Sequence, residues 1–192
     1  DVEGAVMVST KLNGEQLGET DRSILRMFAA HLGHCIENRL VQLRLQALAD
    51  TDGLTELYNY RFFARRLESE LQRAERLGKS VSLLMLDLDG FRELNDSHGH
   101  PAGDSILCQV AHVLRSAVRK FDVVCRYGGD EFTIILPESS CQQALSVASR
   151  IEMRVAEADL RVSPSSDPAL VSVSIGCSSF PESSRNQEEL IA

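Results

Sequence analysis

The sequence lacks any cysteine pairing motif and any long hydrophobic run. It has five scattered cysteines and no CxxC, so it indicates neither a disulfide framework nor a zinc site. This cysteine usage is typical of a reducing compartment, and we expect a cytoplasmic protein. No apolar run approaches the roughly 18 residues of a membrane-spanning helix, and no signal-peptide pattern precedes the first strand. We therefore expect no membrane segment in this chain.

An excess of positive charge is also missing. The 192 residues carry 20 Lys and Arg against 28 Asp and Glu, which gives a formal net charge of -8. This balance argues against a nucleic-acid surface, and an acidic protein that handles a polyphosphate needs a divalent cation and local basic side chains. With 43% hydrophobic residues, the chain can bury the core of one full domain with additional segments.

The N-terminal part of the sequence predicts one strand and one long helix. Residues 1–20 contain a strand pattern, a turn and a polar loop, and Asp21 is a good N-cap for a helix. Residues 21–49 then place apolar side chains three and four positions apart, at Leu25, Phe28, Leu32, Cys35, Ile36, Leu43 and Ala47. Such an amphipathic helix is more than about 40 Å long, which favours a stalk between two chains, although packing on its own domain is the alternative.

Residues 50–192 alternate between helical and strand patterns. Asn59 can cap a helix that ends at Leu77 before Gly78, and the continuous apolar run at 83–86 is typical of a central strand. This strand is followed by a broken helix (91–97 and 104–118), a hairpin (123–136), a helix (141–158) and a strand (169–177). The order indicates an α+β fold with the split βαβ sheet of ferredoxin-like proteins and with helices on one face.

The predicted hairpin, VVCRYGGDEFTIIL, carries two acids at its tip. Gly128 and Gly129 suffice for a tight turn, so Asp130 and Glu131 are by themselves explained as solvated turn residues. However, Asp87 ends the predicted central strand, which neighbours the hairpin in this topology. Carboxylates that converge without a basic partner repel one another, and they raise their pKa values or recruit Mg²⁺ (or Mn²⁺). The two glycines would then also let a substrate approach the backbone.

The segment RYGGDEF resembles the signature of the GGDEF family of diguanylate cyclases, which condense two GTP molecules into cyclic di-GMP and two pyrophosphates. Three further segments are similar to the family in the right order: DGLTELYN (52–59), LDLDGFRELNDSHGHPAGD (86–104) and VSVSIG (171–176). The segment before them, residues 4–40, resembles the closing strand and helix of a GAF sensor domain.

The resemblance implies three parts of the chain. Residues 1–20 would be the C-terminal remnant of a GAF-like sensor domain, residues 21–49 a signalling and dimerisation helix, and residues 50–192 a GGDEF domain with a nucleotidyl-cyclase-type sheet. The family continues past EELIA with a helix and with a Lys and an Arg that touch the triphosphate. We therefore expect this domain to lack its usual C-terminal segment, which bears on the activity of the chain.

Carried over by position, the resemblance assigns the metal and catalytic residues. Asp87 and Asp130 would bind the metals, assisted by the main-chain carbonyl of Leu88. Glu131 would be the neighbouring catalytic acid, either as a metal ligand or as the base that helps to deprotonate the attacking ribose 3′-hydroxyl. The chemistry agrees, because two metals can activate the attacking oxygen and neutralise the leaving pyrophosphate.

The resemblance also assigns the nucleotide contacts. Asn95 and Asp104 would hydrogen-bond the edge of guanine, which offers N–H donors that adenine lacks. His100 would lie near the nucleotide, although it is equally explained as a polar residue at a helix start. No GxxxxGK phosphate loop occurs, so the phosphates would contact backbone amides from Gly90 to Arg92, and Arg92 stands where the family usually has Lys.

The segment RKFD precedes the glycines at the spacing of the family's inhibitory product-binding site, RxxD. Arg119 would bind guanine or phosphate acceptors and Asp122 would accept from guanine N–H donors, although a surface ion pair is the alternative. Arg150 on the following helix matches the family's supporting arginine. The resemblance therefore implies cyclic di-GMP both as product and as feedback inhibitor.

Together these features predict a Mg²⁺-dependent diguanylate cyclase that acts as a homodimer, with one GTP per protomer, under the control of an N-terminal sensor. Two alternatives stay open at this point. The first is a catalytically impaired GGDEF domain that binds GTP or cyclic di-GMP, against which the intact Asp87, Asp130 and Glu131 count. The second is a ferredoxin-like interaction domain whose acids are only surface residues.

Overall fold

The structure is a computed structural model that describes residues 16–163, 166–184 and 186–191, without the side chains of residues 42–49. Within it, residues 1–49 and residues 50–192 form two separate compact units. The strand and turn predicted near the N-terminus fall on residues 1–15 and lie outside the described residues, as does most of the predicted GAF-like remnant.

The first unit consists mainly of one long helix, α1, which spans Glu19–Asp50. It has no proline, and Glu19 and Asp21 place negative charge in the first turn, where it stabilises the helix dipole. The predicted helix is thus confirmed and is about 48 Å long. Among its described side chains, Phe28 (58%) and Leu32 (49%) of the predicted stripe are exposed, but so are Met27 and Val41, which lie outside that stripe. The helix is therefore less amphipathic than predicted.

The second unit has an α+β fold. Its elements are β1 Tyr58–Asn59, α2 Tyr60–Leu77, β2 Val81–Leu88, α3 Phe91–His98, α4 His100–Ala117, β3 Val123–Gly128, β4 Glu131–Pro137, α5 Cys141–Glu157, β5 Val173–Phe180 and α6 Gln187–Ile191. The five-stranded sheet has the order β1-β3-β4-β2-β5, in which only β1 and β3 run parallel. The predicted order from β2 to β5 is confirmed. The strand β2 is an interior strand between β4 and β5, although β4 is the middle strand of the five.

Helices cover both faces of this sheet, so the prediction of helices on one face is wrong. Along β2, Leu84, Leu86 and Leu88 pack into one core together with α4 and α5. The alternate residues Val81 and Leu83 pack into a second core with α2 and α6. Because successive side chains of a strand point to opposite faces, the continuous apolar run of β2 requires cover on both sides.

Local signals set the ends of α2, α4 and β5. Asn59 caps α2 as predicted, since its side chain accepts a hydrogen bond from the Phe62 amide, and Gly78 ends the helix with φ +62°. The helix α4 begins four residues earlier than predicted because Pro101 fits the first turn of a helix. The strand β5 begins four residues later than predicted because the Ala169 amide is bonded to the Leu160 carbonyl.

No helix in the described part of the chain is long and apolar enough to cross a membrane.

Candidate active site at the hairpin tip

The turn between β3 and β4 carries the two predicted catalytic acids. Gly129 has φ +51°, in the left-handed region that favours glycine, and the β3–β4 register shifts next to it. The two turn residues are Gly129 and Asp130, one position later than the predicted Gly128–Gly129 turn. Asp130 is half-buried, whereas Glu131 is exposed as the first residue of β4. Glu131 is the register partner of Asp87 across the β2–β4 pair. The structure thus brings together three predicted site residues, Asp87, Asp130 and Glu131, which we call the hairpin-tip cluster.

The electrostatics of the hairpin-tip cluster show a shortage of positive charge. Burial, followed by the negative charges of Asp130 and Asp89, raises the pKa of Asp87 above its ordinary value. Within the described residues, none of the three clustered carboxylates takes part in an ion pair. Asp87 and Glu131 line an open groove of about 380 Å³ together with Ser174 and Gly176. A cation that enters this groove would meet carboxylates without competing partners.

The carboxylates fit a metal ion that is shared with a substrate better than an ion held by the protein alone. Among the residues that the structure describes, no set of three or more His, Cys, Asp or Glu side chains could hold a metal by itself. Mg²⁺, however, is usually held by one or two carboxylates together with phosphate oxygens and water. Asp87 and Asp130 suit this mode because they are close and mutually repulsive. The predicted role of the Leu88 carbonyl stays a prediction.

Arg126 connects the hairpin tip to Asp52, and we call it the arginine clamp. The sequence predicted no role for it. The Arg126 guanidinium donates through Nε and Nη2 to the Gly129 carbonyl, at 2.9 and 2.7 Å, and through Nη1 to Asp52 Oδ1 at 3.1 Å. Burial by itself raises the pKa of Asp52, but hydrogen bonds from Thr55 and Arg126 outweigh it and hold that pKa below its ordinary value. Arg126 lies in the segment RYGGDEF and Asp52 lies in the segment DGLTELYN. Their presence in two segments that resemble the family was the sequence signal that could have identified them.

Asp89 is a second residue whose role the sequence reasoning missed. Its two carboxylate oxygens accept separate hydrogen bonds, from Ser172 Oγ at 2.6 Å and from Ser174 Oγ at 2.7 Å. These two hydroxyls hold the pKa of Asp89 below its ordinary value. Asp89 is followed by Gly90, which has φ +70° and begins α3 without a side-chain cap.

The predicted guanine-binding residues lie where α3 meets α4. Asn95 Oδ1 is buried and has no hydrogen-bond partner among the described residues. A Cβ added at Gly103, next to the predicted ligand Asp104, would overlap this oxygen and displace the Asn95 side chain. Asp104 is exposed and follows the first turn of α4. An unpartnered buried acceptor beside an exposed carboxylate can receive the N–H donors of a planar base.

The two predicted basic contacts of the nucleotide, Arg92 and His100, have no hydrogen-bond partner among the residues that the structure describes. Arg92 is exposed in the first turn of α3, and His100 is exposed as the first residue of α4. Neither side chain forms a hydrogen bond with the residues that the structure describes. Their predicted roles near the nucleotide therefore stay predictions, as does the polar helix-start alternative for His100.

The three predicted inhibitory-site residues lie together at the other end of β3, and we call them the RKFD corner. The Arg119 amide donates to Asp122 Oδ2 at 2.7 Å, and Arg150 Nε donates to the Ala117 carbonyl at 2.9 Å. Burial raises the pKa of Asp122, although the Arg119 amide and the charges of Arg119 and Arg150 oppose this rise. The alternative, a surface ion pair between Arg119 and Asp122, is not formed among the described residues, because Asp122 accepts from the Arg119 main-chain amide instead. Phe121, between them in sequence, is 80% exposed.

Comparison with known proteins places this domain among relatives. The family model "Diguanylate cyclase, GGDEF domain" matches residues 49–192. The response regulator PleD of Caulobacter vibrioides is 40% identical over 144 residues, which are 75% of this chain and 32% of PleD. The diguanylate cyclase DosC of Escherichia coli K12 is 43% identical over 129 residues, which are 67% of this chain and 28% of DosC. The matched part thus spans about a third of the length of these relatives.

Solved structures share the fold. The coiled coil and GGDEF domain of DgcB from Caulobacter crescentus, in complex with c-di-GMP, has a TM-score of 0.72 at 29% identity and covers 82% of this chain and 83% of its own. The diguanylate cyclase SiaD from Pseudomonas aeruginosa, in complex with its activator SiaC, has a TM-score of 0.70 at 31% identity and covers 83% of this chain and 60% of its own. The family match begins at residue 49, and the GAF-like remnant before it stays a prediction.

Proposed function

Because the chain belongs to the GGDEF domain family of diguanylate cyclases, we propose that it joins two GTP molecules into cyclic di-GMP with release of two pyrophosphates. The hairpin-tip cluster is the observation that carries this proposal. Asp87 and Glu131 lie directly opposite each other on neighbouring strands, and such like-charged pairs cost stability. Perturbed carboxylates without a basic partner, on an open groove, are typical of sites that bind cations or catalyse reactions.

We assign metal binding to Asp87 and Asp130, with the Leu88 carbonyl as an additional ligand. Diguanylate cyclases of this family generally use a divalent metal ion, and Mg²⁺ or Mn²⁺ suits carboxylate and phosphate oxygens together. When bound, the ion lowers the pKa of the attacking hydroxyl and neutralises charge on the leaving pyrophosphate.

Glu131 is assigned to the proton transfer or to metal binding beside Asp87. It is exposed on the groove and is held in place by the β2–β4 register. As the base, its carboxylate would accept the proton of the ribose 3′-hydroxyl while that oxygen attacks the α-phosphorus of the second GTP. Gly128 at the end of β3 and Gly129 in the turn carry no side chains, so the substrate could approach the backbone there.

Selection of guanine is assigned to Asn95 and Asp104. The buried, unpartnered Asn95 Oδ1 would accept from the guanine 2-amino group, which adenine lacks. The Asp104 carboxylate would accept from the N1–H donor of the same edge. A site built from such acceptors rejects adenine because its polar groups would be left unpaired. The phosphates would then lie along the backbone from Gly90 to Arg92.

Synthesis requires a homodimer, because each GTP supplies one 3′-hydroxyl and one α-phosphorus to a ring that a single site cannot close. We assign dimerisation and signalling to residues 21–49, and the exposed apolar side chains of Phe28, Leu32 and Ile36 support this assignment. Residues 1–20 would belong to a GAF-like sensor that controls the approach of the two domains. A cytoplasmic location, where GTP is available, is part of the same proposal.

Feedback inhibition by cyclic di-GMP is assigned to the RKFD corner. Arg119 presents a guanidinium that no described residue pairs, and Arg150 lies close enough to influence the charge of Asp122. Guanidinium groups bind phosphate and guanine acceptors in a forked geometry. The c-di-GMP complex of the relative DgcB shows that a domain of this fold can bind the proposed product.

The direct test is to incubate the full-length protein with GTP and Mg²⁺ and to identify the nucleotide products by chromatography. We expect cyclic di-GMP and pyrophosphate, and no cyclic product when ATP replaces GTP. If the protein binds GTP but forms no cyclic di-GMP under conditions in which it is dimeric, the domain is a nucleotide-binding module and the proposed reaction is wrong.

A further inference from the structure

We propose that Asp89 is a positioning residue that fastens the end of β2 to β5 through Ser172 and Ser174, and that this connection prepares the nucleotide site. We call Asp89 and the two serines the Asp89 latch. The proposal rests on the proposed function, because it concerns how the same site is held ready for GTP.

The Asp89 latch lies just beyond the last paired residues of β2. The β2–β4 ladder ends at the Asp87–Glu131 pair, and the β2–β5 ladder ends at the Leu88–Val173 pair. Asp89 is therefore the first residue beyond both ladders. The ends of strands open readily when no further contact restrains them. Any order in the turn that follows β2 must come from other interactions.

Three hydrogen bonds supply that order. The Asp89 carboxylate accepts from Ser172 Oγ at 2.6 Å and from Ser174 Oγ at 2.7 Å, and the Asp89 amide donates to the Ser172 carbonyl at 3.1 Å. Ser174 is also the β5 register partner of Asp87. The latch thus ties to β5 both the strand end that carries Asp87 and the turn at Gly90.

The same contacts distinguish Asp89 from the hairpin-tip cluster. Asp87 is the penultimate residue of β2 and Asp89 is the first residue after it, and Ser174 connects them as the register partner of Asp87 and a hydrogen-bond donor to Asp89. Asp87 has no hydrogen-bond donor among the described residues, whereas each Asp89 oxygen already has a hydroxyl donor. A carboxylate that is satisfied by two hydroxyls needs no cation, so Asp89 orients its neighbours and Asp87 binds the metal.

The test uses hydroxyl removal and hydroxyl restoration in the full chain. The variant Ser172→Ala/Ser174→Ala should weaken binding of a non-hydrolysable α,β-methylene GTP analogue about tenfold in Mg²⁺, because two hydrogen bonds to a charged group are lost. Ser172→Thr/Ser174→Thr keeps both hydroxyls and should restore the affinity to within about twofold. Ser146→Ala, which removes a hydroxyl bonded only within α5, is the matched control and should not change the affinity.

A double-mutant cycle then separates positioning from metal binding. If Asp89 acts through the serines, Asp89→Asn should weaken analogue binding by a similar factor, and the triple variant should be no worse than Asp89→Asn alone. Independent effects that multiply, or a strong effect of Asp89→Asn with no effect of the serine changes, would overturn the proposal and would indicate a metal ligand instead.

Amide hydrogen exchange in the nucleotide-free chain keeps this test independent of the proposed function. We expect faster exchange at the amides of Asp89 and Leu94 in the serine double variant than in the Ser146→Ala control, because both amides bond within or next to the latched turn. Unchanged exchange there would overturn the latch. If the parent chain shows the protection but does not bind the GTP analogue, the proposed function fails while the latch stands.

Discussion

Acidic side chains lie near both ends of β3, but the charges that surround them are opposite at the two ends. At one end, the hairpin-tip cluster places Asp87, Asp130 and Glu131 together without any described basic partner, and the pKa of Asp87 is raised. At the other end, about 20 Å along the strand, the Asp122 carboxylate of the RKFD corner lies near Arg119 and Arg150. The carboxylates of the hairpin-tip cluster can bind a metal cation, whereas the guanidinium groups of the RKFD corner can bind an anionic ligand.

This difference shows why similar sequence patterns lead to different chemistry. Both sites were found as short polar segments beside β3, and both contain aspartate. What separates them is the charge that the fold brings from elsewhere, from β2 in one case and from α5 in the other. The account therefore assigns metal and GTP to the hairpin-tip cluster and the product to the RKFD corner.

The largest expected effect comes from the acids of the hairpin-tip cluster. Asp87→Asn or Glu131→Gln should lower synthesis of cyclic di-GMP about a thousandfold or more, because each removes several kcal/mol of transition-state stabilisation. Product chromatography measures the loss, and circular dichroism checks that the fold is intact. Asp122→Asn at the RKFD corner is the matched control and should keep the initial rate. Synthesis at the parent rate in either variant would contradict the metal-site assignment.

The second effect concerns product inhibition. Arg119→Ala removes an exposed guanidinium from the RKFD corner, so the concentration of cyclic di-GMP that halves the rate should rise about tenfold or more while the initial rate is unchanged. Lys120→Ala removes the neighbouring charge without changing an RxxD residue and should have a much smaller effect. Equal inhibition of the Arg119→Ala variant and the parent protein would place the inhibitory site elsewhere.

A third, intermediate effect tests the arginine clamp at the hairpin tip. Arg126→Ala frees the Gly129 carbonyl and leaves Asp52 without its ion pair, so Asp130 should lose its fixed position. Because a misplacement of about 1 Å can cost about a hundredfold in rate, we expect synthesis to fall by about ten- to a hundredfold. Arg73→Ala, which breaks the exposed Arg73–Glu138 pair and a longer ion pair with Glu70 without touching the hairpin tip, is the control. Equal rates in the two variants would show that the clamp has no role in catalysis.

The smallest expected effect is a change in melting temperature. Replacing Asp87 by Asn should raise it, and replacing Asp52 by Asn should lower it. The folded-state pKa of Asp87 is raised above 3.8, so its ionisation costs stability as pH rises above that value, and Asp87→Asn should slightly increase the melting temperature at pH 7. The folded-state pKa of Asp52 is lowered, so Asp52→Asn should decrease the melting temperature at pH 7. Both differences should shrink as the pH falls below about 3.8. Shifts of the same sign at pH 7 would contradict this electrostatic account.

Features encoded by neighbouring residues were predictable from the sequence. The caps of α2 at Asn59 and Gly78 depend on contacts within a few residues, and the apolar run of β2 predicted an interior strand that is covered on both faces. The resemblance in RYGGDEF and in the other segments supplied the candidate acids, and the β2–β4 register brings Asp87 to Glu131 as expected.

Features that depend on register between distant strands were not predictable. The Asp89 hydrogen bonds join residues more than 80 positions apart, and the Arg126–Asp52 pair spans 74 positions. Neither serine nor arginine signals its partner locally, because the pairing appears only after β2 has aligned with β5 and the hairpin has formed. The placement of α2 on the second face of the sheet was missed for the same reason, since an apolar helix stripe does not state which face it covers.

The contrast between the two ends of β3 is tested most directly by measuring nucleotide binding with and without metal. Isothermal titration of the full chain with the α,β-methylene GTP analogue and, separately, with cyclic di-GMP should be carried out in Mg²⁺ and in EDTA. The account predicts that binding of the GTP analogue weakens strongly in EDTA, because the hairpin-tip cluster repels the triphosphate without a cation, whereas cyclic di-GMP binds equally well in both conditions. Metal-independent binding of the GTP analogue, or loss of cyclic di-GMP binding in EDTA, would contradict it.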